Sequence, residues 1–210
     1  MAQPLVSVIC LCYNHAKYVE EAILSVLNQT YQPIELIVVD DASSDDSVAV
    51  IESLLIKYSQ ASFIGLKENI GNCAAFNLGF AQSKGQFIID FAADDVLMPD
   101  RIEKGVRALE SAGSDFGVQF SDALLIDRYG VTMGLQSDKF SHDSIPQGDI
   151  YREIIDRYFI SAPTMLIRRE VLEKLQGYDE SLAYEDFDFW VRSSRDFEYL
   201  YIPEEIGRAS

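Results

Sequence analysis

Residues 34 to 46 read Ile34-Glu35-Leu36-Ile37-Val38-Val39-Asp40-Asp41-Ala42-Ser43-Ser44-Asp45-Asp46. An apolar run, rich in β-branched residues, stops on two adjacent carboxylates. Such a run fits a strand covered on both faces. Ser43 or Ser44 is then placed to cap a helix whose first turn carries Asp45 and Asp46, favourable against the N-terminal dipole. Its apolar stripe would be Val48, Ile51, Leu54, Leu55 and Tyr58.

The pattern repeats on either side. Leu5 to Cys12 is another near-continuous apolar run, followed by Val19, Ala22, Ile23, Val26 and Leu27 at helical spacing. Ser62 to Leu66 reads as a third strand and Asn69-Ile70-Gly71-Asn72 as a loop. A helix from about Cys73 to Ala81 and a strand from Gln86 to Ala92 follow, with Pro99 at the start of the next helix. Strands alternating with helices of this length imply a parallel sheet joined by right-handed crossovers. In such a sheet ligands bind beyond the carboxyl ends of the strands. Asp40-Asp41 and Asp94-Asp95 both fall at strand ends, so two acidic pairs converge on one edge.

After Phe116 the alternation weakens. Val118 to Ile126 reads as a strand, Tyr129-Gly130 as a turn and Ser137 to Gly148 as a polar loop. A helix over Ile150 to Tyr158, a short strand from Thr164 to Ile167 and a helix over Glu170 to Leu175 ending at Gly177 are expected next. Tyr184-Glu185-Asp186-Phe187-Asp188-Phe189-Trp190 opens a last helix and Tyr199 to Ile202 a last strand. The sequence stops at Ser210 without a closing helix, which reads as a piece of a longer protein.

The 210 residues suit one domain, and 48% hydrophobic with 24% charged residues argues against disorder. Lys and Arg total 17 against 34 acids, a formal net charge of −17. That balance speaks against nucleic acid as a partner and against an anionic lipid surface, since both recruit basic side chains. A small anion can still be held by backbone N–H groups or a local cation. Cys10, Cys12 and Cys73 make no disulfide framework, which points to a reduced compartment. The N-terminus lacks the basic region of a signal peptide, and no apolar stretch approaches the roughly 18 residues of a membrane span. A cytoplasmic protein is expected.

Asp94-Asp95 repel each other unless a cation or water screens them, and oxygen ligands on one turn suit Mg²⁺ or Mn²⁺. Taken alone, a solvated acidic turn before Pro99 is the simpler account. Asp40-Asp41 likewise has the plain alternative of a helix start.

Spacing and company change the balance. The blocks Val6-Ser7-Val8-Ile9-Cys10-Leu11-Cys12-Tyr13-Asn14, Ala22-Ile23-Leu24-Ser25-Val26-Leu27-Asn28-Gln29-Thr30 and Glu35-Leu36-Ile37-Val38-Val39-Asp40-Asp41-Ala42-Ser43 come in that order. Asn69-Ile70-Gly71, Asn77-Leu78-Gly79, Gly85-Gln86-Phe87-Ile88-Ile89, Ala92-Ala93-Asp94-Asp95 and Glu185-Asp186-Phe187-Asp188 continue it. This ordered set resembles the family 2 glycosyltransferases over nearly the whole chain. The resemblance implies an α/β fold: a single Rossmann-like GT-A domain over 1–210, with a mostly parallel central sheet flanked by helices. Its nucleotide-binding half would cover about 1–100 and its acceptor half about 101–210.

The implied reaction moves a sugar, with inversion, from a nucleotide diphosphate sugar, usually UDP-linked, to a hydroxyl of a saccharide or lipid-linked acceptor. The implied setting is surface polysaccharide or glycolipid synthesis, with peripheral contact at the inner face of a membrane. By resemblance Tyr13 lies against the base and Asp41 bonds to it, with Asn14, Asn69 and Gly71 as further donor-binding positions. Asp94 and Asp95 match the family's DxD-type element, meeting ribose and a Mn²⁺ or Mg²⁺ ion. Asp186 matches the catalytic base, with Glu185 as the alternative. The chain departs from the family at Ala92, where the first Asp of the element would stand, and at Cys12, in place of a Pro or Thr. It also ends before a Tyr-Arg-x-His segment. Ala92 leaves open which of Asp94 and Asp95 meets the metal.

His15 and His142 read as loop residues, and Trp190 as core rather than a stacking platform. Nothing specific ties Lys139 or Arg152 to phosphate. Two rival functions remain: a nucleotidyltransferase, which would need a basic Gly-rich loop that Tyr13-Asn14-His15-Ala16 is not, and a truncated or degenerate nucleotide-sugar-binding module.

Overall fold

The computed structural model describes residues 3–58, 61–126, 131–140 and 145–209, with the side chains of 205–209 left aside. Tyr129-Gly130 and His142 lie outside the described residues. Seven residues from Val6 to Cys12 form β1, and every one is buried. Strand β1 takes the middle of a parallel group, with β2 (Ile34–Asp40) on one side and β4 (Phe87–Ala92) on the other. Strand β3 (Ala61–Gly65) extends the group beyond β2. The register pairs Cys12 with Asp40, Leu11 with Ala92 and Asp40 with Gly65, so four strands end together on one edge.

Helices α1 (Val19–Leu27), α2 (Ser47–Lys57) and α3 (Asn72–Gln82) make the crossovers. Side chains alternate across each strand. Val6, Val8, Cys10 and Cys12 therefore enter one core with α1, while Ile9 and Leu11 enter a second core with α3. At Gly79 a Cβ would come within 2.5 Å of Ile9 Cγ2, so glycine is what lets α3 settle onto the sheet.

The second half is mixed. The sheet order is β3-β2-β1-β4-β8-β6-β9-β5, with β7 (Thr132–Leu135) on the end of β6 (Phe116–Ile126). Strand β8 (Leu166–Arg168) runs antiparallel to both β4 and β6, while β9 (Glu198–Ala209) runs parallel to β6 and pairs antiparallel with β5 (Val96–Leu97). Because β8 runs against β4, its beginning meets the carboxyl edge, and the 3₁₀ turn Ala162–Thr164 arrives there with it. That turn is pinned: Arg101, fully buried at the start of α4 (Arg101–Ala112), donates to the Thr164 carbonyl at 2.6 Å. Ser121 N–H donates to Thr164 Oγ1 at 3.1 Å.

Helices α5 (Tyr151–Asp156), α6 (Arg169–Leu175) and α7 (Asp186–Ser193) cover the second core. The α6 turn ends with Gln176 left-handed at the cap and Gly177 also at positive φ. Helix α5 is shorter than its periodicity predicts. Strand β9 continues through Pro203 and Glu204, where polar residues hide the pattern, because β6 and β5 supply partners on both sides.

The expected Ser43 or Ser44 cap of α2 is not formed. The helix starts at Ser47, and Asp45 Oδ1 accepts the Ser47 N–H at 3.0 Å. Ser43 instead donates to Asp40 Oδ2 at 2.6 Å, and Ser44 N–H donates to Asn14 Oδ1 at 2.8 Å. Tertiary ties between two loops outweigh the local cap.

Candidate active site

The four parallel strand ends carry the candidate residues. After β1 the chain turns through Asn14 at positive φ, where Asn is tolerated. Asn14 donates its N–H to Ser43 Oγ at 2.8 Å, locking the loop after β1 to the loop after β2. Asp40 is consumed by that loop, since Ser43 N–H and Oγ bond its two oxygens at 2.9 and 2.6 Å. Asp41, one residue on, faces the other way. Its Oδ1 accepts Ile70 N–H at 2.8 Å and its Oδ2 accepts Gly71 N–H at 2.9 Å. Asn69 Nδ2 donates to the Asp41 carbonyl at 3.2 Å. Gly71, at φ 89°, supplies a left-handed turn that presents consecutive N–H groups to one carboxylate.

These residues open on a cleft of about 310 Å³, lined by Tyr13, Asp41, Asn69, Gly71, Ala92 and Tyr184 among others. Tyr13 is half-exposed, its ring available to a flat ligand. His15 also lines the cleft, with Nδ1 3.9 Å from Asp94 Oδ1. Sequence reasoning left His15 as a plain loop residue.

A smaller chamber of about 80 Å³ shares Leu11, Asn72 and Ala92 with the cleft and is bounded by Asp90, Asp95 and Glu185. Glu185, buried at the N-cap of α7, accepts Asn72 Nδ2 on Oε2 at 2.6 Å. Burial, and then the charge of Asp186, pushes its carboxyl up to about 7. Asp186 lies behind it. Tyr158 Oη donates to Asp186 Oδ2 at 3.1 Å, while Oδ1 is shielded from solvent and has no hydrogen-bond partner. Burial raises the Asp186 carboxyl too, opposed by the bonds from Tyr158 and Glu185. Asp186 is in the first turn of α7, where the helix dipole favours an ionised carboxylate, and desolvation works against that.

The segment leading to this pair is clamped by Asn77, whose Oδ1 accepts Tyr178 N–H and whose Nδ2 donates to the Tyr178 carbonyl, both at 2.9 Å. Two members of one short motif thus do separate jobs: Asn77 holds the acid-bearing segment, and Gly79 seats the helix that carries Asn77.

The glycosyl transferase family 2 model matches residues 7–176. The chain belongs to that family. An uncharacterized glycosyltransferase of Methanocaldococcus jannaschii is 30% identical over 208 residues, covering 97% of this chain and 70% of the relative. Another, of Rickettsia prowazekii, is 32% identical over 206 residues, covering 97% of this chain and 62% of its own length. The chain thus spans about two thirds of these relatives. Among solved structures, a mannosyltransferase of Pyrobaculum calidifontis in complex with GDP-Man and Mn²⁺ superposes with a TM-score of 0.77 at 18% identity. It is matched over 100% of this chain and 57% of that one. S. aureus TarS in complex with UDP gives 0.75 at 20% identity, over 97% of this chain and 60% of that one. The fold is the GT-A fold.

In this family 2 chain, Tyr13, Asp41, Asn69 and Gly71 come together at the cleft, with Asn14 as a loop clamp. Asp94 and Asp95 sit on the turn after β4, Asp94 beside His15 and Asp95 on the chamber wall. Among the described residues no three metal-ligating side chains come together. Two carboxylates on one turn, opening on a cleft, still fit a hard ion that takes the rest of its ligands from phosphate and water. No described residue offers a thiol nucleophile: burial pushes Cys12 and Cys73 up to about 11, and Cys10 is raised as well. Trp190 is core, its Nε1–H directed at Met165 Sδ at 3.2 Å. Lys139 bonds Gln136 Oε1, and Arg152 is exposed on α5. Among the described residues no helix is long and apolar enough to cross a membrane.

Sequence reasoning missed Asp90 and Asn72. Asp90 did leave a signal, a charge inside the apolar run Phe87-Ile88-Ile89-Asp90-Phe91 of a central strand.

Proposed function

We propose that the protein is an inverting glycosyltransferase that moves a sugar from a nucleotide diphosphate sugar, UDP-linked in the first instance, to an acceptor hydroxyl. The observation that carries this reading is the continuity of the Tyr13–Asp41 cleft with the chamber holding Asp95 and Glu185, next to Asp186. Nucleotide recognition and proton transfer then have adjoining places. In this reading Tyr13 stacks on the base and Asp41, oriented by the Ile70 and Gly71 N–H groups, accepts a base N–H on a remaining lone pair. Asp94 and Asp95 would hold a Mn²⁺ or Mg²⁺ ion, which when bound neutralises charge on the departing diphosphate.

Asp186 takes the proton of the acceptor hydroxyl as its oxygen bonds to the anomeric carbon. The bond to the diphosphate oxygen breaks on the opposite face, and the configuration inverts. Asp186 is assigned this task by its place beside Glu185, since the shared burial of the pair raises both carboxyls and so favours taking up a proton. The acceptor is proposed to be a saccharide or a lipid-linked sugar of surface polysaccharide or glycolipid synthesis, met in the cytoplasm at the inner face of the membrane. The UDP-bound and GDP-Man-bound structural neighbours support a nucleotide-sugar donor.

Calorimetry with UDP and GDP, in Mn²⁺ and in EDTA, tests the reading. Binding that is much stronger with metal than in EDTA for the wild type, with that metal-dependent part abolished and the fold intact in Asp94→Asn with Asp95→Asn, is the expected result. Equal affinity with and without metal would refute the metal assignment.

A further inference from the structure

Asp90 stands in the middle of β4, between Ile89 and Phe91, both buried. Residues two apart on a strand share a face, so Asp90 points the same way as Ala92, toward the chamber beneath the cleft. A carboxyl in such a strand loses its hydration and needs a partner. The charged groups that act on it are Glu185 and Asp186, both acids, and burial raises its carboxyl together with their charge. The Tyr178 hydroxyl, on a residue only 3% exposed, interacts with Asp90 and has no partner in hydrogen-bond geometry. The chamber's volume, about 80 Å³, exceeds one water's share of about 30 Å³ and is too small for a pyranose ring. It opens from the cleft beside Ala92.

We propose that Asp90 and this chamber receive a hydroxyl or hydroxymethyl substituent of the donor sugar, making Asp90 a specificity-determining residue that favours neutral hexoses and rejects uronic acids. The inference rests on the nucleotide-sugar reading above. A carboxyl whose hold on its proton is strengthened by desolvation and by neighbouring acids can donate as well as accept, which matches a hydroxyl group. A carboxylate substituent would meet the acids Asp90 and Glu185 on the chamber wall, a like-charge contact that a hydroxyl avoids. Ala92 and Met165 complete the wall against the ligand's C–H side.

Calorimetry in Mn²⁺ with UDP, UDP-glucose, UDP-glucuronic acid, GDP and GDP-mannose provides the test. For the wild type, at least one neutral nucleotide sugar should bind about fivefold or more tighter than its parent nucleotide, the worth of one hydrogen bond. UDP-glucuronic acid should gain nothing over UDP. Asp90→Ala, and Ala92→Val, which narrows the chamber at the wall it shares with the cleft and keeps the Asp90 carboxyl, should both erase the neutral sugar's gain over its parent nucleotide. If both variants keep the gain, or glucuronic acid gains as much as glucose, or no neutral sugar gains, the inference is overturned while nucleotide binding stands. If the wild type binds no nucleotide at all, the donor reading itself fails and takes the inference with it. Should Asp90→Ala fail to show a cooperative melt, Ala92→Val decides.

Discussion

Asp40-Asp41 and Glu185-Asp186 are both pairs of neighbouring acids beside one cleft, yet their surroundings are opposite. The first pair is supplied with donors: Asp40 from Ser43, and Asp41 from the Ile70 and Gly71 N–H groups. The second pair is buried with little to compensate it, Glu185 held by Asn72 and Asp186 by Tyr158. The first set of carboxylates is therefore fixed as hydrogen-bond acceptors. The second set is able to exchange a proton. Carboxyl groups of one kind are thus given different surroundings by the number of donors turned toward them.

Substitutions at each acid, and at the glycine beside Asp41, would break or sharpen that contrast. Asp186→Asn keeps shape and removes basicity, so transfer should fall by roughly 10²–10⁴-fold while nucleotide affinity holds. Rates of Asp186→Asn and Glu185→Gln, measured side by side, show which acid takes the proton; a defect confined to Glu185→Gln would move the role one residue back. Asp41→Ala should cost on the order of 1–3 kcal/mol of nucleotide binding, read by calorimetry. Asp40→Ala should act on stability instead, because its oxygens are spent on Ser43.

Glu185→Gln should change the pH dependence of stability. Its carboxyl rises from 4.5 in the unfolded chain to about 7 in the folded one, so between those values the folded state binds more protons. Stability then falls as pH rises through that window, and is fullest below it. Removing the group should flatten the decline and raise Tm at pH 8 by a few degrees, measurable by thermal melts at several pH values. The smallest effect belongs to Gly71→Ala. A Cβ there meets nothing within 4 Å, so only the backbone conformation, at φ 89° and ψ 158° and kept for glycine, resists, at a cost of about 1–3 kcal/mol. A chemical-denaturation shift much beyond that would mean that the seat of Asp41 is more tightly coupled to the fold than its two hydrogen bonds suggest.

The first four strands were legible because each is buried on both faces and leaves a continuous apolar run. Their crossover helices were legible by periodicity. The edge where Asp41 and Asp95 meet followed from topology alone. What stayed hidden depends on partners distant in sequence. Nothing local in Leu166–Arg168 says that β8 runs antiparallel between β4 and β6, and so nothing local brings Ala162–Thr164 to the cleft. The polar stretch at Pro203-Glu204 conceals a strand that exists only because its neighbours pair with it. Ser43 and Ser44 read as caps until Asn14 and Asp40 arrive to claim them. Asp90 could have been found, since a lone charge in a central strand is a sign of a buried task.

The bond from Asn72 to Glu185 joins residues 113 apart in sequence. Closing so long a loop costs entropy that only completed packing repays. The nucleotide seat is built from strands that follow one another along the chain and is able to take shape early during synthesis. The acid wall is added only when the last helix docks. In the proposed reading, proton transfer would therefore require α7 to have docked on the parallel strands.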